Sequence, residues 1–402
     1  MKLYGLLAIG LTVGLSACAT LTPRDIAPQE QAANAEVKGF GGIRYWGDAS
    51  SLEIDEALKK ALPAPPFHSQ SAGRRATLNL LAISGGADRG AFGAGLLTGW
   101  SIAGNRPEFN LVTGVSSGAL IAPFAFLGEK KDQQLREMFT RYERKDLFSF
   151  SVPTLLSGSA LADNAPLAGL IEKYVDAQFL EEIASERAKG RVLLIGTTDL
   201  DSQRPVLWDM GRIAMSKDSQ AIVLFRKILL ASTTIPGVFS PVRIDVHSGG
   251  RAYQEMHVDG GVTRHIFLPP PKLFASALGV NSSRTRKRLY VIRNGKSVPE
   301  WQSVSGTVLS VTQRSFSTVI KNQGIGDLYR LYASARNDGL DFNLASIPAD
   351  FKKIEDKSFD QKDMTALFER GHQLGRDGYS WEKAPPGIEM TAGRSATAQV
   401  VP

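Results

Sequence analysis

The pentapeptide Gly114-Val115-Ser116-Ser117-Gly118 constrains this chain more than any other segment, because of the elements on either side of it. Phe109-Asn110-Leu111-Val112-Thr113 reads as a buried strand, and the apolar run Ala119 to Leu127 reads as the helix that follows. A serine on a tight strand-to-helix turn, with glycine two positions away on each side, has the pattern of a nucleophile elbow. The glycines let the backbone turn without a Cβ clash and leave the hydroxyl exposed at the head of the helix. Gly-x-Ser-x-Gly by itself is common, so a second glycine loop matters. Leu78 to Ile83 is another apolar strand, and it runs through Ser84-Gly85-Gly86-Ala87-Asp88-Arg89-Gly90 into a helix from Ala91 to about Gly104. Two successive strand, glycine loop and helix units predict an α/β fold that delivers both loops to one edge of a parallel sheet.

The chain has 402 residues, enough for one large α/β domain with additions. A hydrophobic fraction of 43% against 22% charged excludes a disordered chain. Met1-Lys2 followed by the apolar run Leu3 to Leu15 is too short to span a bilayer and has the length of a signal-peptide core. Leu15-Ser16-Ala17-Cys18 resembles the lipobox of bacterial lipoproteins, which implies cleavage before Cys18 and acylation of that residue. Cys18 is the one cysteine, so no internal disulfide forms and the fold rests on packing. Ala19 after it is not the aspartate that resembles an inner-membrane retention signal, so the expectation is an outer-membrane anchor facing the periplasm. The net charge of +7 favours anionic lipid, but the lysines and arginines are scattered as on an ordinary solvated surface. No zinc spacing, basic helix or alternation of aromatic and basic residues points to nucleic acid.

The expected organisation is a signal peptide over residues 1–17, a lipidated cysteine and connector over 18–70, and a catalytic domain over 71–300. A mostly helical extension over 301–382 and a disordered tail over 383–402 complete it. The connector includes Ala61-Leu62-Pro63-Ala64-Pro65-Pro66, extended by its prolines. Further expected elements are one helix from Ala165 to about Ala188, a strand from Arg191 to Thr197 and a helix from Asp218 to Ser232. Strands from Ala252 to Val258 and from Leu289 to Arg293 follow, and Asp360 or Asp363 caps a last helix to about Arg376.

A serine nucleophile needs a base and donors for the oxyanion. Of the five histidines, His68 precedes the core, and His247 beside Ser248-Gly249-Gly250 reads as a turn residue. His372 fits the Ser…Asp…His order of α/β-hydrolases but lies among Arg370, Gln373 and Arg376, as on a solvated helix face. No histidine follows a strand at a loop as a triad member would. Asp259 does: it ends a strand and precedes Gly260 and Gly261, where backbone approaches closely, although Asp-Gly is also an ordinary turn. As a base it benefits from desolvation, since its ordinary pKa is about 4. The loop Gly85-Gly86-Ala87-Asp88-Arg89-Gly90 can present backbone amides to an oxyanion at a helix start. It is not a P-loop, because no Gly-Lys-Ser/Thr follows, and it matches the dinucleotide fingerprint poorly.

The ordered set of an arginine-containing glycine loop, Gly-x-Ser-x-Gly and a later Asp-Gly-Gly resembles the patatin-like phospholipase family over about residues 78 to 265. Ile43-Arg44-Tyr45-Trp46-Gly47-Asp48, Gly196 to Asp201 and Ile235 to Pro241 resemble its bacterial members. The resemblance implies a three-layer α/β/α fold with a mostly parallel central sheet and additional C-terminal helices. It implies Ser116 as nucleophile and Asp259 as base, between elbow glycines Gly114 and Gly118 and base-loop glycines Gly260 and Gly261. Gly85, Gly86, Ala87, Arg89 and Gly90 would form the oxyanion loop, with Ala87 standing where the family has a third glycine. The expected activity is hydrolysis of lipid acyl esters through an acyl-enzyme, with a lipid or ester substrate. No metal or cofactor is implied. The competing expectations are a small-ester or thioester hydrolase on the same scaffold, an α/β-hydrolase using His372, and a non-catalytic envelope lipoprotein that keeps the fold.

Overall fold

The computed structural model describes residues 24–50, 53, 56, 77–149, 162–272, 274, 285–355 and 357–388. The expected signal peptide, Cys18, the proline-rich connector, His68 and the tail from 389 lie outside the described residues. The strands are β1 (Arg44–Trp46), β2 (Thr77–Ile83), β3 (Leu111–Val115), β4 (Val192–Asp199) and β5 (Arg204–Asp209), then β6 (Val242–Ser248), β7 (Arg251–Asp259), β8 (Arg286–Arg293) and β9 (Asp341–Ser346). The longer helices are α1 (Gly90–Ile102), α2 (Ser117–Leu127), α3 (Asp132–Thr140), α4 (Ala165–Tyr174) and α5 (Ala177–Ala188). They continue with α6 (Met210–Met215), α7 (Ala221–Ser232), α8 (Val308–Asn337) and α9 (Gln361–Arg376).

The sheet runs β1-β5-β4-β3-β2-β8-β9. Five adjacent strands, β4, β3, β2, β8 and β9, pair in parallel out to β9 at one edge, while β5 and β1 extend the sheet beyond β4 by antiparallel pairing. Parallel strands buried on both faces read as continuous apolar runs, which is why β2 was legible. Alternate residues serve opposite faces. Leu81, Ile83, Val112, Leu193 and Ile195 join a core with α1, α2, α3, α7 and α9. Leu78, Leu80, Ala82, Leu111 and Leu194 join a second core with Leu328, Leu331 and Ala335 of α8. The result is three layers, helix on sheet on helix.

Several elements differ from the sequence expectation. The helix expected over 165–188 is two, α4 and α5, because the chain leaves helical geometry at Val175 and Asp176 restarts it by accepting a bond from the Phe179 amide at 2.8 Å. His247 belongs to β6, with the turn at Gly249 and Gly250. Residues 301–382, expected as a helical extension, supply β9 to the central sheet and place α8 and α9 on its two faces. Asp360 is the cap of α9, accepting from the Lys362 and Asp363 amides. The α1 and α9 backbones meet so closely that a Cβ on Gly95 or Gly99 would lie 2.0 Å from the carbonyl oxygen of Phe368 or His372. Only glycine allows that contact, so α9 is fastened to the helix that starts at the glycine loop. Among the described residues no helix is long and apolar enough to cross a membrane.

Candidate active site

Sheet register brings Ser116 and Asp259 together. Along one side of β4, β3 pairs up to Val115 opposite Gly196, and β7 then takes over with Asp259 opposite Thr197. Two strands arriving from opposite directions thus end at adjacent positions of β4, and their terminal side chains meet. Ser116 follows Val115 with φ +55° and ψ −128°, a conformation a non-glycine residue adopts only under constraint. The constraint is visible. The Ser116 amide donates to Ser232 Oγ at 3.0 Å, and that hydroxyl donates to the Gly196 carbonyl at 2.7 Å. A Cβ on Gly114 would lie 2.3 Å from the Gly118 oxygen, and one on Gly118 would lie 2.5 Å from the Ile83 oxygen, so the tight turn needs both glycines.

The Asp259 carboxylate accepts from the Gly261 amide at 2.7 Å and has the Ser116 hydroxyl beside it. Burial pushes the Asp259 carboxyl up to about 6, against the neighbouring Ser116 hydroxyl and the Gly261 amide, which favour the charged form. Gly260 and Gly261 continue from it in a 3₁₀ turn, with Gly260 against the Gly196 carbonyl.

In the glycine loop, the Gly85 amide donates to the His265 carbonyl at 3.2 Å. Gly85 therefore supplies room beside Ser116, whose Cβ is 3.0 Å from the place a Gly85 side chain would occupy, and not an oxyanion donor. That corrects the expectation for this residue. Gly86 and Ala87 precede the turn into α1, where backbone amides lack intrahelical acceptors. Ala87 has φ +53°, the left-handed region in which its methyl is strained, and it stands where a glycine was expected. Gly90 begins α1 with Ser117 and Phe139 packed on it. Arg89 turns outward and pairs with Glu300 at 3.1 Å, locking the loop. Asp88 accepts from Lys353 Nζ at 2.8 Å and from the Phe359 amide at 3.2 Å.

Residues with no local sequence pattern complete the site. Asn294, after β8, accepts from the Gly93 amide at 3.0 Å and donates to the Ser84 carbonyl at 2.9 Å, pinning the loop. The available signal was its position: β8 lies beside β2, so the turn after it reaches the same sheet edge. His265, passed over in the sequence, is six residues after Asp259, and its Nε2 faces Gly85. Burial, with Arg293 and Arg89 nearby, holds its imidazole down to about 3, so it is neutral at physiological pH. His257 is structural: its ring nitrogens meet Thr197 Oγ1 at 2.9 Å and Glu255 at 3.0 Å. His372 is half-buried on α9 and stacks on Phe368. Its neighbour Gly99 is nine residues along α1 from Gly90, roughly 13 Å from the loop by helical rise, so His372 does not reach Ser116.

Ser116 opens into a cavity of about 70 Å³. Leu120, Phe139, Phe148, Leu170, Phe239 and Met364 are among the residues that line it. An apolar slot ending at a hydroxyl beside a carboxylate has the lining of a site for an apolar group. Among the described residues no three His, Cys, Asp or Glu side chains converge to hold a metal ion.

Residues 81–270 match the model of a known family, described as patatin-like phospholipase. This segment, which contains β3, the elbow and β7, is a patatin-like phospholipase domain. No curated protein matches the chain significantly. Among solved structures it is similar to VipD from Legionella pneumophila, at 9% identity and a TM-score of 0.33 over 76% of this chain and 67% of that one. It is also similar to human GIVD cytosolic phospholipase A2, at 12% identity and a TM-score of 0.36 over 85% of this chain and 64% of that one. The chain thus spans about two thirds of the length of these distant structures.

Proposed function

We propose that the protein hydrolyses acyl esters of lipids through a Ser116–Asp259 dyad and an acyl-enzyme. The family supplies the class, lipid acyl hydrolase. The observation that carries the dyad is that the ends of β3 and β7 set Ser116 beside a buried Asp259, whose carboxyl is pushed up to about 6 by burial, at an apolar cavity. Ser116 Oγ attacks the acyl carbonyl carbon as its proton passes to Asp259, with no imidazole between them. The carbonyl π electrons move to oxygen, and the amides of Gly86 and Ala87 receive the charge, reinforced by the positive end of α2. Collapse expels the alcohol or lysolipid, which takes the proton from Asp259. Water, deprotonated by Asp259, then attacks the acyl-serine, and the departing Ser116 oxygen regains the proton as the fatty acid leaves.

The same reading places the mature chain in a bacterial envelope, acylated at Cys18 and anchored in the outer membrane facing the periplasm, on the support of Leu3 to Leu15 and Leu15-Ser16-Ala17-Cys18. The mass of the N-terminal peptide, parent against Cys18→Ser, tests the anchor. For the dyad, the chain is treated with a fluorophosphonate and its peptides are analysed by mass spectrometry beside Ser116→Ala and Asp259→Asn. Labelling at Ser116 that drops sharply in Asp259→Asn is expected. A folded parent without label at Ser116 would sink the hydrolase reading.

A further inference from the structure

A run of apolar side chains stands uncovered in the segment that follows Glu300, the partner of Arg89 in the glycine loop. Trp301 is 92% exposed, Val308 85% and Val319 62%, with Val304 and Val311 also open. Leaving such an indole in water is unusual in a chain that buries Trp100 and Trp208. At 100° per residue, Val308, Val311 and Val319 fall on one side of α8 with the hydroxyls of Thr312 and Ser315. Arg314 and Lys321 fall outside this arc, about 60° and 80° beyond Val311, and are engaged with the preceding segment. Arg314 Nη1 donates to Gln302 Oε1 at 3.0 Å, and Lys321 Nζ donates to the Val298 carbonyl at 2.6 Å and Glu300 at 3.3 Å. The outward stripe therefore carries no charge.

The segment that carries the stripe is tied to the glycine loop. Glu300, bound on one side by Lys321, is bound on the other by Arg89 of the glycine loop. Across that loop, Lys353 holds Asp88, and its neighbour Ile354 is another open apolar side chain, 63% exposed. Uncovered apolar side chains thus follow both residues that hold the glycine loop, Glu300 and Lys353.

We propose that the uncovered apolar side chains Trp301, Val308, Val311 and Val319 seat the protein on a lipid bilayer, the phase that supplies its substrate. The proposal rests on the lipid-ester reading of the site. A helix lying in the interface buries one apolar side, with tryptophan and hydroxyls at headgroup level, and this segment has that composition. Residues 301–326 contain no aspartate or glutamate, so no carboxylate there repels an anionic surface, and the net charge of +7 adds long-range attraction. A row about one side chain wide falls short of the roughly 20 residues a side that a standard protein interface uses.

The test uses the full chain carrying Cys18→Ala, so that no acyl group at that position contributes. Vesicles of phosphatidylethanolamine and phosphatidylglycerol, brominated on their acyl chains, are added to this parent and to its Trp301→Phe variant. The difference in their quenching reports Trp301 alone, which is expected to be quenched and blue-shifted. A Trp301→Ala/Val308→Ser/Val319→Ser variant is expected to bind unbrominated vesicles about tenfold more weakly or worse. Turnover of vesicle-borne ester should fall with it, while turnover of a soluble short-chain nitrophenyl ester stays within about twofold, because none of the three side chains touches the reacting atoms. An unquenched Trp301, or unchanged vesicle affinity in the triple variant, overturns the proposal. So does a dimer in light scattering that the triple variant dissolves without loss of vesicle binding, which assigns the stripe to a second copy. A chain that is quenched but hydrolyses neither ester keeps the docking surface and refutes the hydrolase.

Discussion

Replacing Asp259 by asparagine should stabilise the protein while removing its activity, and the size of the gain follows from the site. Burial raises the Asp259 carboxyl from its ordinary 3.8 to about 6. The folded state therefore disfavours the ionised form by about 3 kcal/mol relative to the unfolded chain. Because the folded pKa is the higher one, the native protein binds more protons than the unfolded chain between pH 4 and 6. Its stability from this group declines as pH rises through that window and levels off above it. Asparagine keeps the shape and the acceptor for the Gly261 amide but has no charge to bury. The variant should match the parent near pH 4 and exceed it by about 3 kcal/mol at pH 7.5, or roughly 5 °C in melting temperature for a domain of this size. Thermal unfolding of both proteins across that range gives the difference. A variant equally or less stable at pH 7.5, or a difference that does not change with pH, would refute the burial argument and weaken the case for Asp259 as a tuned base.

The same carboxyl should set the acid limb of kcat/KM, with an apparent pKa of about 6 and a tenfold fall per unit below it; His265, held down to about 3, contributes nothing in that range, and a limb near pH 4 would contradict the site. Ala87→Gly relieves the left-handed strain at φ +53° and should raise stability by up to about 1 kcal/mol in urea unfolding, a loss being the adverse result. Ser232→Ala unpairs the Ser116 amide and the Gly196 carbonyl, and should cost about 2 kcal/mol and lower kcat with KM nearly unchanged. Full kcat in that variant would mean that Ser232 does not position the nucleophile. His372→Ala should leave ester turnover intact, and its loss would favour a Ser–His arrangement over the dyad.

The strand-end positions of Ser116 and Asp259 were legible in the sequence because each is announced by its own neighbours: a strand, a turn that glycine permits, and the start of a helix or 3₁₀ turn. Those are local backbone requirements, and local residues state them. Strands β2, β3, β4 and β7 were legible for the same reason, as apolar runs bounded by turn residues. The division of 165–188 into two helices was harder to read, since a break at Val175 hardly disturbs the spacing of Leu167, Leu170, Ile171 and Phe179. The tertiary structure alone decided which atoms meet. It set the change of partner along β4 that joins the ends of β3 and β7, and it committed the Gly85 amide to His265. It brought Asn294 to Ser84 and Gly93, and Ser232 to the elbow. It also lifted the pKa of Asp259, an effect of surroundings drawn from distant segments. Contacts between residues a hundred or more positions apart impose no periodicity on either segment, so their chemistry stays hidden until the chain is folded.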